Sequence, residues 1–245
     1  MTIYPPHHFR GDYHAMCGIL FALSSCPAYS PSPSHVALIS LRGPDCTRTH
    51  KVTLGSKTLT FTSSLLSVRG SQPTPQPLVD PGTGSVLCWN GEAWRLHGRP
   101  IAAGASDTRE VFDTLLSAPE GRVDEVLGHV EGEFAFVFYD APTGVCWYGR
   151  DWAGRRSLVA RTRRDGALLE VASTGDDSGA GAGGSEAWEE VEAGGGVQRV
   201  DVTSGHQVWV TGTRKAGEKV CRGLHGQREL VGLTGRCCRY IGSQA

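Results

Sequence analysis

No run in this chain approaches the roughly 20 apolar residues that a membrane-spanning helix needs. The opening segment 1–15 carries His7, His8, Arg10, Asp12 and prolines but no apolar core, so it is not a secretory signal. Residues 1–16 read as a leader or, with Met16 as the initiator, as a gene-model extension. A charge excess is also missing. Lys and Arg number 24 against 25 Asp and Glu, a net charge of -1, which argues against a general nucleic-acid or membrane surface. Eight cysteines are present, yet none forms a C-x-x-C pair and their spacing is irregular. That pattern suits neither a zinc site nor a disulfide framework, and with no signal segment it implies reduced thiols in a cytoplasmic protein. No cofactor is expected.

What the chain does have is material for a core. Its 245 residues are 39% hydrophobic with a mean hydropathy of -0.22, enough for one domain, or a domain and a tail. Cys17 to Leu23 is an apolar run suited to a buried strand. Pro27, Pro31 and Pro33 mark a loop, and Ser34 is placed to cap a short helix through Leu41. Arg42-Gly43-Pro44-Asp45 is turn chemistry. Over 52–68, Val52, Leu54, Leu59, Phe61, Leu65, Leu66 and Val68 suggest two strands joined near Gly55-Ser56. Gln76-Pro77-Leu78 leads into a short strand, Val86 to Trp89, and the Asn90-Gly91 pair after it is by itself a hairpin signal. Ser106-Asp107-Thr108 opens a helix with Val111, Leu115 and Leu116 on one face. Asp107 with Glu110 resembles a capping box, worth about 1 kcal/mol.

A second short helix is expected over 123–130, followed by a strand over 131–140 that turns at Gly144 into 145–149. The Gly-rich stretch 175–196, interrupted by Ala187-Trp188-Glu189-Glu190-Val191, reads as a surface loop. No Gly-Lys-Ser/Thr follows it, so it is not a phosphate cradle. Val197 to Thr203 is expected as the last strand. From His206 onward seven Lys/Arg stand against two Asp/Glu, whereas the first 205 residues hold 17 against 23. A basic stripe could meet nucleic acid or an acidic partner; the reading preferred here is a poorly ordered tail, 206–245.

Five segments then fall into one order: Met16-Cys17-Gly18-Ile19-Leu20, Arg42-Gly43-Pro44-Asp45, Trp89-Asn90-Gly91-Glu92, Gly132-Glu133-Phe134-Ala135-Phe136 with Tyr139-Asp140, and Gly149-Arg150-Asp151-Trp152-Ala153-Gly154-Arg155-Arg156-Ser157-Leu158. In this the chain resembles the class II glutamine amidotransferases, and over 17–203 the glutaminase half of asparagine synthetases. The resemblance implies an α+β fold, the four-layer αββα N-terminal-nucleophile sandwich of two antiparallel sheets, with 17–205 as the amidotransferase domain. It implies glutamine as substrate, with glutamate and ammonia as products and a link to asparagine biosynthesis. Cys17 would be both nucleophile and, through its own α-amine once Met16 is removed, base. A thiol titrates near 8.5 and an α-amine near 7.7–8.0, so the two can exchange a proton at neutral pH. Asn90 and Gly91 would donate to the oxyanion formed when a thiolate attacks a carboxamide; one such donor is typically worth about 2.7–4 kcal/mol of barrier. Glycine leaves the N–H unobstructed and permits a positive φ. Glu92 and Asp107 would contact the glutamine, Asp107 its α-amino group.

Three departures set the alternative. Where active synthetases carry an arginine for the glutamine carboxylate, counting back from Gln76-Pro77 puts Leu65; Arg69 lies four residues on, about 13 Å along a strand. Fifteen residues precede Met16, and while they stay Cys17 has an amide instead of an amine. There is no Ser-Gly-Gly-x-Asp-Ser loop for ATP. The alternative is therefore a non-catalytic module of the same fold, or a truncated product, with a protein partner left open.

Overall fold

The computed structural model describes residues 16–66, 74–119, 122–162, 168–176, 187–194, 196–211, 219–222 and 228–231. In chain order these form β1 (Gly18–Ser24), α1 (Pro33–Ser40), β2 (Cys46–Leu54), β3 (Lys57–Leu65), β4 (Leu78–Val79), β5 (Val86–Leu96), β6 (Arg99–Pro100), α2 (Asp107–Leu116), α3 (Val123–Gly128), β7 (Val130–Asp140), β8 (Val145–Arg150), β9 (Val159–Thr162), β10 (Leu168–Ala172), β11 (Glu189–Glu190), β12 (Gly196–Asp201), β13 (Gln207–Thr211), β14 (Lys219–Arg222) and β15 (Arg228–Val231). One sheet runs β11-β9-β10-β1-β3-β2. The other runs β13-β12-β8-β7-β5-β4, with β6 beside β5, and β14 pairs with β15. The ladders are antiparallel.

Strand alternation sorts the apolar side chains into layers. Ile19, Phe21 and Leu23 of β1 join Leu59 and Phe61 of β3, Val86 and Cys88 of β5, and Val137 and Tyr139 of β7 in the core between the sheets. The Phe21 and Phe61 rings lie 5.0 Å apart there. The intervening residues point outward: Leu20 packs on Ile39 of α1. Leu87, Trp89, Phe136 and Phe138 pack on Val111, Phe112 and Leu115 of α2 and on Val126 and Leu127 of α3. Each such side chain, fully buried, contributes about 1.5–3 kcal/mol. The result is α1, sheet, sheet, then α2 with α3, the four-layer αββα sandwich.

Gly18 explains how closely α1 sits on β1. A Cβ there would meet the Ser64 hydroxyl at 2.5 Å and the Ile39 carbonyl oxygen at 2.8 Å. With none present, Ser64 donates to that carbonyl at 2.6 Å. The far side of α1 is tied down by charges from distant parts of the chain. Ser32 donates to Asp176, buried His35 meets the Thr174 carbonyl, and Arg161 pairs with Asp176 and Glu170.

Several expectations shift. The α1 cap is Ser32, not Ser34: its hydroxyl accepts from the His35 N–H, because Pro33 fits the first helical position and pulls the start forward. Asn90-Gly91 is no hairpin turn but lies inside β5, which runs on to Leu96. The hairpin at Gly55-Ser56 forms, though its first strand starts at Cys46. The second helix stops at Gly128. Val197 to Thr203 does not end the sheet: β13 pairs with β12 past residue 205. Part of the Gly-rich stretch is held in place. β11 pairs with β9, and the Trp188 indole donates to the Asp176 carbonyl under the Arg161 guanidinium. The leader 1–15, Arg69 and most of the segment beyond Thr211 lie outside the described residues. No helix among the described residues is long and apolar enough to cross a membrane.

Candidate active site

Parity brings the cysteine and the asparagine together. Cys17 precedes β1 in the same phase as Ile19 and Phe21, and Asn90 continues the phase of Val86 and Cys88. Both face the space between the sheets, which the core side chains have filled up to that end. Leu65, opposite Cys46 in the β2–β3 register, ends β3 beside them.

The chain around Cys17 is held from three sides. The Met16 N–H donates to the Arg42 carbonyl at 3.1 Å, and the Arg42 Nε donates back to the Cys17 carbonyl at 3.3 Å. The Arg42-Gly43-Pro44-Asp45 turn is itself anchored to the end of β3, where Pro44 bridges Leu65 and the Asp45 N–H donates to the Leu65 carbonyl. Third, the Leu66 N–H donates to the Cys17 Sγ at 3.4 Å, and the thiol faces the Leu66 carbonyl at 3.6 Å. Burial pushes the Cys17 thiol above its ordinary pKa and the Asp107 charge adds to this, while the Leu66 N–H, Arg156 and Arg42 pull it down. Burial also lowers the pKa of Arg42.

Arg156 is a residue to which the sequence alone assigns no role at the site. Asp151 accepts from the Phe134, Ala153 and Arg155 N–H groups, fixing the Gly149–Leu158 turn against β7. Arg150 donates to the carbonyls of Arg156, Gly154 and Val191 and pairs with Glu190. The turn so built delivers the Arg156 guanidinium to Glu133 at 3.3 Å and to the Met16 sulfur at 2.7 Å. The signal was present in Arg-Arg-Ser, but only the turn shows which arginine points inward.

Across the gap, the Asn90 side chain is 1% exposed, and its Nδ2 has no hydrogen-bond partner among the described residues. Such a buried donor is costly unless something accepts from it. Gly91 has φ 159°, close to fully extended, so its use is not a turn. It answers a close approach: a Cβ would stand 2.1 Å from the Glu133 carbonyl oxygen and 2.6 Å from the Phe134 Cα. Asp107 is not the cap of α2. Ser106 takes that role, accepting from the Arg109 N–H. Asp107, 6% exposed, accepts instead from the Ala93 N–H at 2.8 Å, tying the helix start to β5.

Cys17, Leu65, Gly91, Glu92 and Asp107 line one small cleft of about 40 Å³, together with Leu66, Thr74, Gln76, Ser106 and Thr108. No described side chain lining it is cationic, and Leu65 presents a methyl surface there. A larger cavity of about 730 Å³ lies elsewhere, between Trp94, His129, Trp152 and Val197. Its lining includes Asp124, Glu125, Glu131 and Asp151 but no cysteine. Sequence reading missed Gln76 and Thr74, whose placement depends on a register not legible in sequence.

Comparison with known proteins follows the same line. Asparagine synthetase domain-containing protein 1 of Bos taurus is 32% identical over 193 residues, 77% of this chain, and its Homo sapiens counterpart is 31% identical over the same length. The chain spans 29% of the length of each. The glutamine phosphoribosylpyrophosphate amidotransferase of B. subtilis shares the fold at a TM-score of 0.54 and 17% identity, over 82% of this chain and 50% of that one. The glutamine amidotransferase domain model matches residues 16–177, well over half of the sequence, and the chain belongs to that family.

Proposed function

We propose that this domain hydrolyses glutamine through a thioester on Cys17. Glutamine hydrolysis is the family's general reaction, and one observation carries the assignment to these residues: the cleft holds the thiol, Gly91, Glu92 and Asp107 beside a buried asparagine amide that has no described partner. The Cys17 proton passes to the Cys17 α-amine, freed when the preceding residues leave, and the sulfur attacks the carboxamide carbon. Asn90 Nδ2 and the Gly91 N–H donate to the resulting oxyanion. Collapse breaks the C–N bond, the amine returns the proton, and ammonia departs. Water then attacks the thioester, giving glutamate and restoring the thiol. Asp107 and Glu92 receive the substrate's α-ammonium. Use of the ammonia in asparagine synthesis is supported by the relatives' shared name alone, and a cytoplasmic setting by the free thiols of the five described cysteines.

The test compares the chain from Met1, the chain released to begin at Cys17, and Cys17→Ala in the second form. Ammonia is expected from the Cys17-first form only; undiminished release from Cys17→Ala would overturn the reading. A specific arrangement favours a second one, a non-catalytic module. Leu65 stands in the cleft wall, and no described side chain lining the cleft is cationic to meet the glutamine carboxylate. That module would show no thermal stabilisation by millimolar glutamine.

A further inference from the structure

Gln76 sits at the rim of the cleft, 3% exposed, in a stretch that carries no chemistry of its own. In the β4–β5 ladder Leu78 faces Leu87 and Val79 faces Val86. Continued by two residues, that register sets Gln76 opposite Trp89. The ladder has ended by then, so no backbone carbonyl of β4 is there for the Trp89 N–H. The Gln76 side chain takes the place of the missing strand: its Oε1 accepts from the Trp89 N–H at 2.7 Å. Trp89 is the residue before Asn90. On its other face β5 is held by β7, where Asn90 pairs with Ala135. Two residues upstream, Thr74 donates to the hydroxyl of Ser106, the cap of the helix that carries Asp107. The segment 74–76 therefore clasps both walls of the cleft, the strand of Asn90 and the helix start of Asp107.

We propose that Gln76 is a positioning residue for the oxyanion site. By replacing a strand's carbonyl it fixes β5 at the point where the Asn90 carboxamide must meet the substrate oxygen. This rests on the glutaminase reading above. Removing the acceptor frees that end of β5 to move, and a displacement of about 1 Å in such a site can cost on the order of 100-fold in rate. The bond acts on where the oxyanion donor lies and not on the substrate's α-amino group, so the loss falls on kcat.

The experiment uses the full chain released to begin at Cys17. Gln76→Met keeps the length and removes the acceptor, and Gln76→Glu keeps an acceptor oxygen in either protonation state. The expected result is a kcat about 10- to 100-fold lower for Gln76→Met, with KM within about threefold of the parent and kcat largely restored in Gln76→Glu. A Gln76→Met kcat within about twofold of the parent, or an equal loss in both variants, would overturn the proposal. Amide hydrogen exchange gives a readout that needs no turnover. The Trp89 N–H should exchange at least about tenfold faster in Gln76→Met, while the Phe21 N–H of β1 keeps its rate. Should the parent release no ammonia, the glutaminase reading fails, and exchange alone decides whether Gln76 holds the strand. Unchanged Trp89 exchange refutes it. If Gln76→Met does not fold, Gln76→Ala carries the same comparison.

Discussion

Gly91→Ala tests the close approach of β5 and β7 and the oxyanion site together. The new methyl carbon would stand 2.1 Å from the Glu133 carbonyl oxygen, where ordinary contact begins at 3.4 Å, a shortfall of 1.3 Å. The next atoms met are the Cα and Cβ of Phe134, at 2.6 and 2.8 Å. The obstacle is mostly backbone, so no flexible side chain can swing aside; the strands must part. Phe134 is also stacked on Trp89 at 4.7 Å and its N–H is fixed by Asp151. Overpacking of this kind costs about 1–3 kcal/mol, and the rigid surroundings place it at about 3. For a domain of this size 1 kcal/mol moves Tm by about 2–4 °C, so thermal unfolding should come about 6–12 °C earlier. The Gly91 N–H moves with its strand, and ammonia release should fall by on the order of 100-fold. A Tm within about 2 °C of the parent would refute the packing argument whatever the activity.

Asn90→Ala should separate function from stability. It removes a donor that makes no described bond, so Tm should change little while kcat falls by on the order of 10²–10³, read by ammonia release and calorimetry. Asp107→Asn keeps an oxygen for the Ala93 N–H but removes the charge. KM for glutamine should rise at least about tenfold. Alkylation of Cys17 by iodoacetamide should become faster, because the Asp107 charge raises that thiol's pKa. Stability should fall on the alkaline side. Burial pushes Cys88 up to about 12 and Cys146 well above the ordinary thiol value, so the folded state keeps protons that the unfolded chain gives up from about 8.5. Their contribution is whole below about pH 8.5 and drains as pH climbs toward 12, at about 1.4 kcal/mol per unit for each fully buried thiol. Tm measured from pH 8 to pH 10 should drop, and less steeply in Cys88→Ser; a flat profile in the parent would contradict this.

Much of the fold could be read from period and punctuation. Val52, Leu54, Leu59 and Phe61 bracket Gly55-Ser56, and the hairpin lies there. Parity along Cys17 to Leu23 and Val86 to Asn90 contained the convergence of thiol and carboxamide, once the two strands were known to face each other across one gap. Misplaced features have local causes. Ser32 and Ser106 outcompete Ser34 and Asp107 as caps because the cap is fixed by where φ and ψ leave the helical region, one residue before Pro33 in the first case. β13 was hidden because Val208 and Val210 alternate inside a stretch whose net basic charge dominates its composition. Gln76 and the His35–Asp176–Arg161–Glu170 cluster were not legible at all. Their partners are separated along the chain by between nine and 144 residues, and no local pattern encodes a hydrogen bond across a ladder that has already ended.

The raised pKa of the half-buried thiol and the two arginines beside it look contradictory, since guanidinium groups should favour a thiolate. Desolvation prevails as the largest influence on the thiol, ahead of the pull of Arg156 and Arg42. Arg156 shares its charge with Glu133 at 3.3 Å. The resting sulfur is therefore a protonated thiol, slow to react with anything that reaches it. Its surroundings are nevertheless arranged for the opposite state. The Leu66 N–H already points at the Sγ from 3.4 Å, and both guanidiniums are held by backbone and side-chain bonds that do not involve the sulfur. If Cys17 acts as proposed and its amine takes the proton, the charge appears among donors that need no reorganisation, which is how a preorganised site lowers a barrier. Under the proposed mechanism, the appearance of that amine, and not the acidity of the thiol, is the step that switches reactivity on.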